Sequence, residues 1–266
     1  MPSEPKPQTS AINGRLWGSR ARDWADLQEG TARPVYEAVL ARTGVSARTR
    51  YLDVGCGAGM AVQLAAQQGA LVSGIDAAEA LLTIARERTP YGDFRLGDIE
   101  SLPFADASFD VVTGFNSFQY AGNPIVALAE ARRVAKPDAR IVVMTWAPPD
   151  GMPAASLVAA LRPLMPAPPP GAPGPFALSD ETALRKFVKD AGLQPIDVFD
   201  VDSPFRYPDL DTGVRALNSS GVAARAMGNS SEQAVSQAHR EALAPYRQPD
   251  GTYHIGASFR CLLAQP

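Results

Sequence analysis

The sequence predicts an α/β protein built on a parallel sheet with helices on both faces. Three observations predict it. Short apolar runs alternate with helical stretches between residues 51 and 146, and strands that alternate with helices need crossover connections. The runs Tyr51–Val54, Leu71–Ile75 and Phe109–Phe115 are mostly apolar without strict alternation, as burial on both faces of a sheet demands. A glycine-rich turn, Gly55-Cys-Gly-Ala-Gly59, carries the first run straight into a helix.

The composition suits one soluble domain. The 266 residues are 45% hydrophobic and 20% charged, with a net charge of −3, enough chain to bury a core without staples. Nucleic acid and anionic membranes both reward clustered positive charge, so neither is an expected partner. Arg20/Arg22 and Arg132/Arg133 read as solvated helix faces. Cys56 and Cys261 match no metal spacing and are expected as reduced thiols in a cytoplasmic protein. The start, Met1-Pro-Ser-Glu-Pro-Lys-Pro-Gln8, lacks an apolar core, so no secretory signal is expected, and no run reaches the length of a membrane span. Nothing in the sequence predicts the oligomeric state.

In chain order, residues 1–14 are expected as a disordered tail, rich in proline. Leu16 to about Gly44 is helical, broken between Thr31 and Pro34 because proline is tolerated only in a first turn. Strand Tyr51–Val54, helix Ala61–Gln68, strand Leu71–Ile75, helix Ala78–Arg88 and strands Phe94–Leu96 and Phe109–Phe115 follow. Asn123-Pro124 opens a helix as cap and first residue, and Ala139–Trp146 is the next strand. Residues 147–178 are crowded with prolines, including Pro168-Pro169-Pro170, around a short helix at Leu157–Met165. Ser179 is expected to cap a helix running to Ala191, with Asp180 and Glu181 in its positive first turn. Gln194–Val201 is a strand, a helical insertion covers about 209–246, and Tyr253–Ala264 is the last strand. One domain over 15–266 results, with insertions at about 147–178 and 204–250.

The glycine turn ends at a helix N-terminus, which offers unpaired N–H groups and partial positive charge. A dinucleotide fingerprint needs a small residue three places after Gly57, where this sequence has Met60. A phosphate loop needs a lysine that is not there. Asp53, two residues before the first glycine, would repel a pyrophosphate and attract an ammonium group. Asp76 closes the second strand, where a carboxylate accepts from both ribose hydroxyls. Asp98 follows the third strand, placed to accept from an adenine amino group while the Ile99 N–H donates to the ring. Three carboxylates at neighbouring strand ends thus specify an ammonium, a ribose and an adenine.

The segments Leu52-Asp-Val-Gly-Cys-Gly-Ala-Gly59, Gly74-Ile-Asp76, Gly97-Asp-Ile-Glu-Ser-Leu-Pro-Phe104 and Phe109-Asp-Val-Val112 resemble the class I S-adenosylmethionine-dependent methyltransferases. The likeness is to small-molecule enzymes of ubiquinone and menaquinone biosynthesis and of natural-product pathways. It implies a Rossmann-like sheet of seven strands with the last antiparallel, and S-adenosyl-L-methionine as cofactor. By the same resemblance Asp53, Gly55, Cys56, Gly57 and Gly59 hold the methionine part, Asp76 and Ala77 the ribose, and Asp98 with Ile99 the adenine. Asn116 and Ser117 line the transfer centre, and Trp17, Arg20 and Trp24 lie near the methionine moiety. Trp17 and Trp24 share a helix face that suits core packing equally well.

Methyl transfer needs positioning and dryness more than a strong base. His254 and His239 are candidate bases, and Gln119 and Tyr120 candidate orienting groups. The base-methylating Asn/Asp-Pro-Pro-aromatic motif is missing, since that place reads Asn116-Ser-Phe-Gln119. The acceptor is therefore expected to be a small hydrophobic or aromatic metabolite under a lid. One insertion offers Met152, Leu157, Leu161, Leu164, Met165 and Phe176. The other offers Phe205, Tyr207, Leu217 and Met227. A non-catalytic S-adenosylmethionine-binding module and a nicotinamide oxidoreductase are the alternatives. Met60 and the lack of a Tyr-x-x-x-Lys pair disfavour the oxidoreductase.

Overall fold

The computed structural model describes residues 9–167 and 174–266; Pro168-Pro169-Pro170 and residues 1–8 of the expected tail lie outside them. The chain enters through α1 (Thr9–Gly18), so the disordered tail expected over 1–14 does not extend through residues 9–14. The helix buries no residue of its own and shows no amphipathic stripe, which hid it from the sequence pattern. Tertiary contacts hold it instead. The Asn13 amide donates to the Tyr120 carbonyl at 2.8 Å, and the Gly122 N–H donates to Thr9 Oγ1 at 2.9 Å. Gly14 lies so close to the next layer that a Cβ there would stand 2.2 Å from the Ala77 carbonyl oxygen.

A short helix α2 (Ala21–Asp23) runs through a wide turn at Trp24–Gln28 and a tight one at Glu29–Ala32 into α3 (Arg33–Thr43). Pro34 sits in the first turn of α3, and Gly44 ends it at φ 68°. Then follow β1 (Arg50–Val54), α4 (Met60–Gln67), β2 (Leu71–Asp76), α5 (Glu79–Arg88), β3 (Asp93–Leu96) and β4 (Phe109–Phe115). Next come α6 (Pro124–Val134), β5 (Ala135–Trp146), α7 (Ala154–Ala160), α8 (Glu181–Asp190), β6 (Gln194–Asp202) and β7 (Phe205–Tyr207). Helices α9 (Leu210–Asn218), α10 (Gly221–Asn229) and α11 (Glu232–Leu243) lead to β8 (Tyr253–Ile255) and β9 (Ser258–Gln265).

Seven strands form one sheet in the order β3-β2-β1-β4-β5-β9-β6, parallel except for β9, which runs antiparallel to both neighbours. Strand order reverses between β1 and β4, and the crevice beyond their carboxyl ends is where open α/β sheets bind ligands. Side chains alternate across the sheet to build two cores. Leu52, Val54, Ile141 and Val143 pack with α6 and α8 on one face. On the other, Tyr51 and Val72 pack with Val62 and Leu82 from α4 and α5.

Asn123 caps α6, its side chain accepting from the Val126 N–H. The cap of α8 is Asp180, not Ser179: Asp180 accepts from the Ala183 N–H at 2.8 Å, while the Ser179 hydroxyl turns back to the Phe176 carbonyl. The expected last strand is two strands. At its break the Ala257 carbonyl accepts from the Ser203 N–H at 2.8 Å and the Gly256 carbonyl from the Ala154 N–H at 2.9 Å. With those groups drawn out of the ladder, Tyr253–Ile255 pair instead with Phe205–Tyr207 in a separate two-stranded sheet.

Candidate functional site

A continuous cavity opens at the switch point and extends from the glycine turn to the helices of the second insertion. The turn itself is folded by β2. The Gly55 and Cys56 N–H groups donate to the Ile75 carbonyl at 2.8 and 2.9 Å, and all three glycines adopt positive φ. Their surroundings differ. A Cβ on Gly59 would lie 2.7 Å from Ala85 Cβ, so this glycine lets the turn press against α5. A Cβ on Gly57 would meet nothing nearer than 3.5 Å, and Gly57 faces the cavity. Cys56 is buried behind the turn, with its sulfur against Gly74, and lies outside the cavity.

Asp76 lines the cavity at the end of β2, each oxygen accepting one backbone N–H: Gly57 to Oδ2 and Ala78 to Oδ1, both at 2.9 Å. Each oxygen keeps a lone pair, so a ribose diol finds two acceptors side by side. Asp98 and Ile99 line the same end, with Asp98 Oδ1 accepting the Glu100 N–H at 2.9 Å. Ala77 joins them.

Asp53 lies one layer behind Gly55, only 2% exposed. A chain of hydroxyls reaches it: Tyr51 stands 2.7 Å from Thr113 Oγ1, which donates to Asp53 Oδ1 at 2.8 Å. Burial pushes its carboxyl up to about 8, against the opposing bond from Thr113. Burial raises Asp76 as well, against its backbone bonds.

Glu29 is the residue the sequence reading missed. It is 3% exposed, lines the cavity above Gly57, and accepts from the Met60 N–H at 3.3 Å. Burial raises its carboxyl although Arg88 pairs with it. Arg88 also donates to the Ala58 and Ala25 carbonyls at 2.9 and 2.8 Å, tying the N-terminal segment to the turn. The signal for Glu29 is in the fold, because only tertiary contact carries residue 29 to the turn. Glu29 and the half-buried Asp76 line this end of the cavity, and the buried Asp53, which does not line it, stands behind. All three hold their protons more tightly than usual, which favours a cation here. S-adenosylmethionine, with an ammonium, a sulfonium and no phosphate, fits that donor set.

Trp17 and Trp24 line the cavity with rings 5.0 Å apart at 84°, and Trp17 meets the Tyr120 ring at 5.6 Å. Arg20, expected beside them, is elsewhere: it pairs with Glu232 at 2.7 Å and does not line the cavity, because α1 packs against α10. Asn116 stands at the cavity with φ 55°, a strained position for a residue with a side chain, and Ser117 donates to the Val54 carbonyl at 2.5 Å. Gln119 does not reach the cavity; its amide donates to Asn116 Oδ1. Tyr120 does, and burial pushes its phenol up to about 12, so it stays protonated and can donate.

Of the two histidines only His239 lines the cavity. His254 lies on β8, outside it, exposed and 3.3 Å from Arg206 Nη1, because the break at Gly256 turns that strand away from the main sheet. Both insertions reach the cavity, through Leu157 and Leu161 from the first and Phe205 and Leu217 from the second. Leu164, Met165 and Met227 pack behind with Leu161 and Val235. Met152 packs near Tyr253 and Phe259. Tyr207 is buried, its hydroxyl donating to Gln28 Oε1 at 2.8 Å. Trp146 stacks on Phe259 at 4.7 Å and meets Phe176 at 6.1 Å, giving this half of the cavity an aromatic wall.

Comparison with known proteins agrees with this geometry. Residues 52–143 match a family model described as a methyltransferase domain. A demethylmenaquinone methyltransferase of Renibacterium salmoninarum is 36% identical over 123 residues, 46% of this chain and 52% of the relative. A ubiquinone biosynthesis O-methyltransferase of Hahella chejuensis is 43% identical over 101 residues, 36% of this chain and 42% of the relative. The chain spans about half the length of such curated relatives, or less. Among solved structures, the 4+2 cyclase SpnF superposes with a TM-score of 0.59 at 21% identity, over 98% of this chain and 97% of the cyclase. A SAM-dependent methyltransferase of Aquifex aeolicus gives 0.53 at 20% identity, over 68% and 92%. At those identities the likeness speaks for the fold.

Proposed function

We propose that this chain, whose residues 52–143 match a methyltransferase-domain family model, is a class I S-adenosylmethionine-dependent methyltransferase that methylates a small, largely apolar acceptor enclosed by its two insertions. The observation that carries the reading is one cavity with two chemically different ends. Buried carboxylates surround the glycine turn, and aromatic and aliphatic side chains line the space beneath the insertions.

The residues divide the work accordingly. Asp76 takes the ribose hydroxyls on its free lone pairs, and Asp98 with Ile99 takes the adenine edge. Gly57 leaves room for the methionine backbone. Glu29 and, from behind the turn, Asp53 favour its ammonium. Trp17 and Trp24 cover it, which makes their edge-to-face pair part of the cofactor site as well as of the core. The bound cofactor supplies a methyl group on a cationic sulfur. The chain's part is to hold the acceptor in line with that methyl and keep water out, which Trp146, Phe205 and Leu161 are placed to do.

The fold alone does not decide between methyl transfer and another use, because the cyclase SpnF shares it. Incubation with S-adenosylmethionine and a panel of phenols and hydroxyquinones tests the reading: stoichiometric S-adenosylhomocysteine and methylated product are expected. Tight cofactor binding with no product from any acceptor would favour a binding module.

A further inference from the structure

His239 is the sole titratable imidazole on the cavity wall, and the structure holds it unusually firmly. It is 2% exposed, on α11, and its Nδ1 lies 2.7 Å from Oδ1 of Asn218, itself 4% exposed at the end of α9. In the structure the Asn218 Nδ2 donates at 2.9 Å to the hydroxyl of Ser236, one turn before His239 on the same helix. In this orientation Oδ1 faces the imidazole and accepts, which matches a ring proton on Nδ1. Nε2 then carries a lone pair and has no partner among the described residues. Burial pushes the imidazole down to about 4, so the ring is neutral before transfer. Leu161, Leu217 and Val222 line the same cavity, with Ser220 between the last two in sequence.

We propose that Asn218 is a positioning residue that fixes His239 as its Nδ1–H tautomer. His239 Nε2 then accepts the hydrogen of a neutral hydroxyl on the acceptor. The inference rests on the methyltransferase reading and adds to it a base, a tautomer and an acceptor group. A buried, uncharged acceptor of hydrogen bonds selects a neutral O–H donor and rejects a group that arrives as a cation. In the transfer step the hydroxyl oxygen forms a bond to the methyl carbon as the carbon–sulfur bond breaks. The electron pair of that bond returns to sulfur, and the O–H proton passes to Nε2, later to leave for solvent. A weak base suffices, because a hydroxyl gains acidity steeply once its oxygen begins to bond to carbon.

The test uses the full chain loaded with S-adenosylhomocysteine. With only His239 and His254 present, nitrogen-15 NMR resolves both rings. The expected spectrum shows a neutral His239 with its proton on Nδ1. 1-Naphthol is expected to bind about tenfold or more tighter than naphthalene, the gain of one buried hydrogen bond. His239→Leu should bind the two alike. Asn218→Asp, which favours imidazolium and so a proton on Nε2, should also lose the preference while the nitrogen shifts report the second proton. A wild-type proton on Nε2, or a naphthol preference that survives His239→Leu, would overturn the proposal. These readouts need no turnover. A protein that meets them yet yields no S-adenosylhomocysteine from S-adenosylmethionine keeps the dyad and refutes methyl transfer instead.

Discussion

The carboxylate of Asp76 accepts the backbone N–H of Gly57 at 2.9 Å, so the tip of the second strand shapes the glycine turn before any ligand arrives. One side chain therefore folds the turn and, in the proposed cofactor site, also takes the hydroxyls of a bound nucleoside.

Asp76→Ala should accordingly weaken two things at once. Affinity for S-adenosylhomocysteine is expected to fall by about 1.5–3 kcal/mol for each lost bond to the charged group. Hydrogen exchange should quicken at Gly57 and Ala78, the amides released. Calorimetry and exchange mass spectrometry read the two effects separately.

Gly57 and Gly59 should respond differently to alanine although both have positive φ. Gly59→Ala drives a Cβ to 2.7 Å from Ala85 and should lower stability in urea by about 1–3 kcal/mol. Gly57→Ala places its Cβ no nearer than 3.5 Å to any neighbour, so it should cost less stability and far more cofactor affinity.

Asp53 predicts a pH dependence with a definite sign. Its carboxyl ordinarily loses its proton near 3.8, whereas in the fold it holds on to about 8. Between those values the folded protein binds more protons than the unfolded chain, so stability without ligand should fall as pH rises from about 4 to 8. An ammonium favours the ionised form. Affinity for S-adenosylhomocysteine should therefore climb through pH 6 to 8 and level off above. At pH 7 binding should release a proton, seen as a heat that varies with the buffer's ionisation enthalpy. Asp53→Asn should flatten both trends and leave the smaller part due to Glu29 and Asp76, whose carboxyls burial also raises; a flat wild-type profile would contradict the assignment.

Val222→Glu sets a carboxylate into the apolar half of the cavity at a half-buried position. It should weaken 1-naphthol by about tenfold or more and leave S-adenosylhomocysteine binding within twofold. Equal loss of both would mean that the halves are not separate.

The parallel half of the sheet was legible in the sequence because its signals are local. Tyr51–Val54 runs into Gly55, Asp76 ends an apolar run, and Asn123-Pro124 opens a helix, all within a few residues. The parts that escaped are those fixed by distant contacts. Helix α1 exists because Gly14 lies against Ala77 and Asn13 reaches Tyr120. Glu29 reaches the turn through Arg88, and Arg20 leaves it for Glu232. His239 and His254 looked alike as histidines near the end of the chain. A loop that takes the Gly256 carbonyl to Ala154 separates them, leaving one in the cavity and one in solvent.

Titration calorimetry with S-adenosylmethionine, S-adenosylhomocysteine and NAD tests most directly whether the carboxylate-lined end holds a cationic nucleoside free of phosphate. The account predicts that the first two bind and compete, that both are weakened by Asp76→Ala, and that NAD gives no heat. Saturable binding of NAD with none of the sulfonium nucleoside would contradict it.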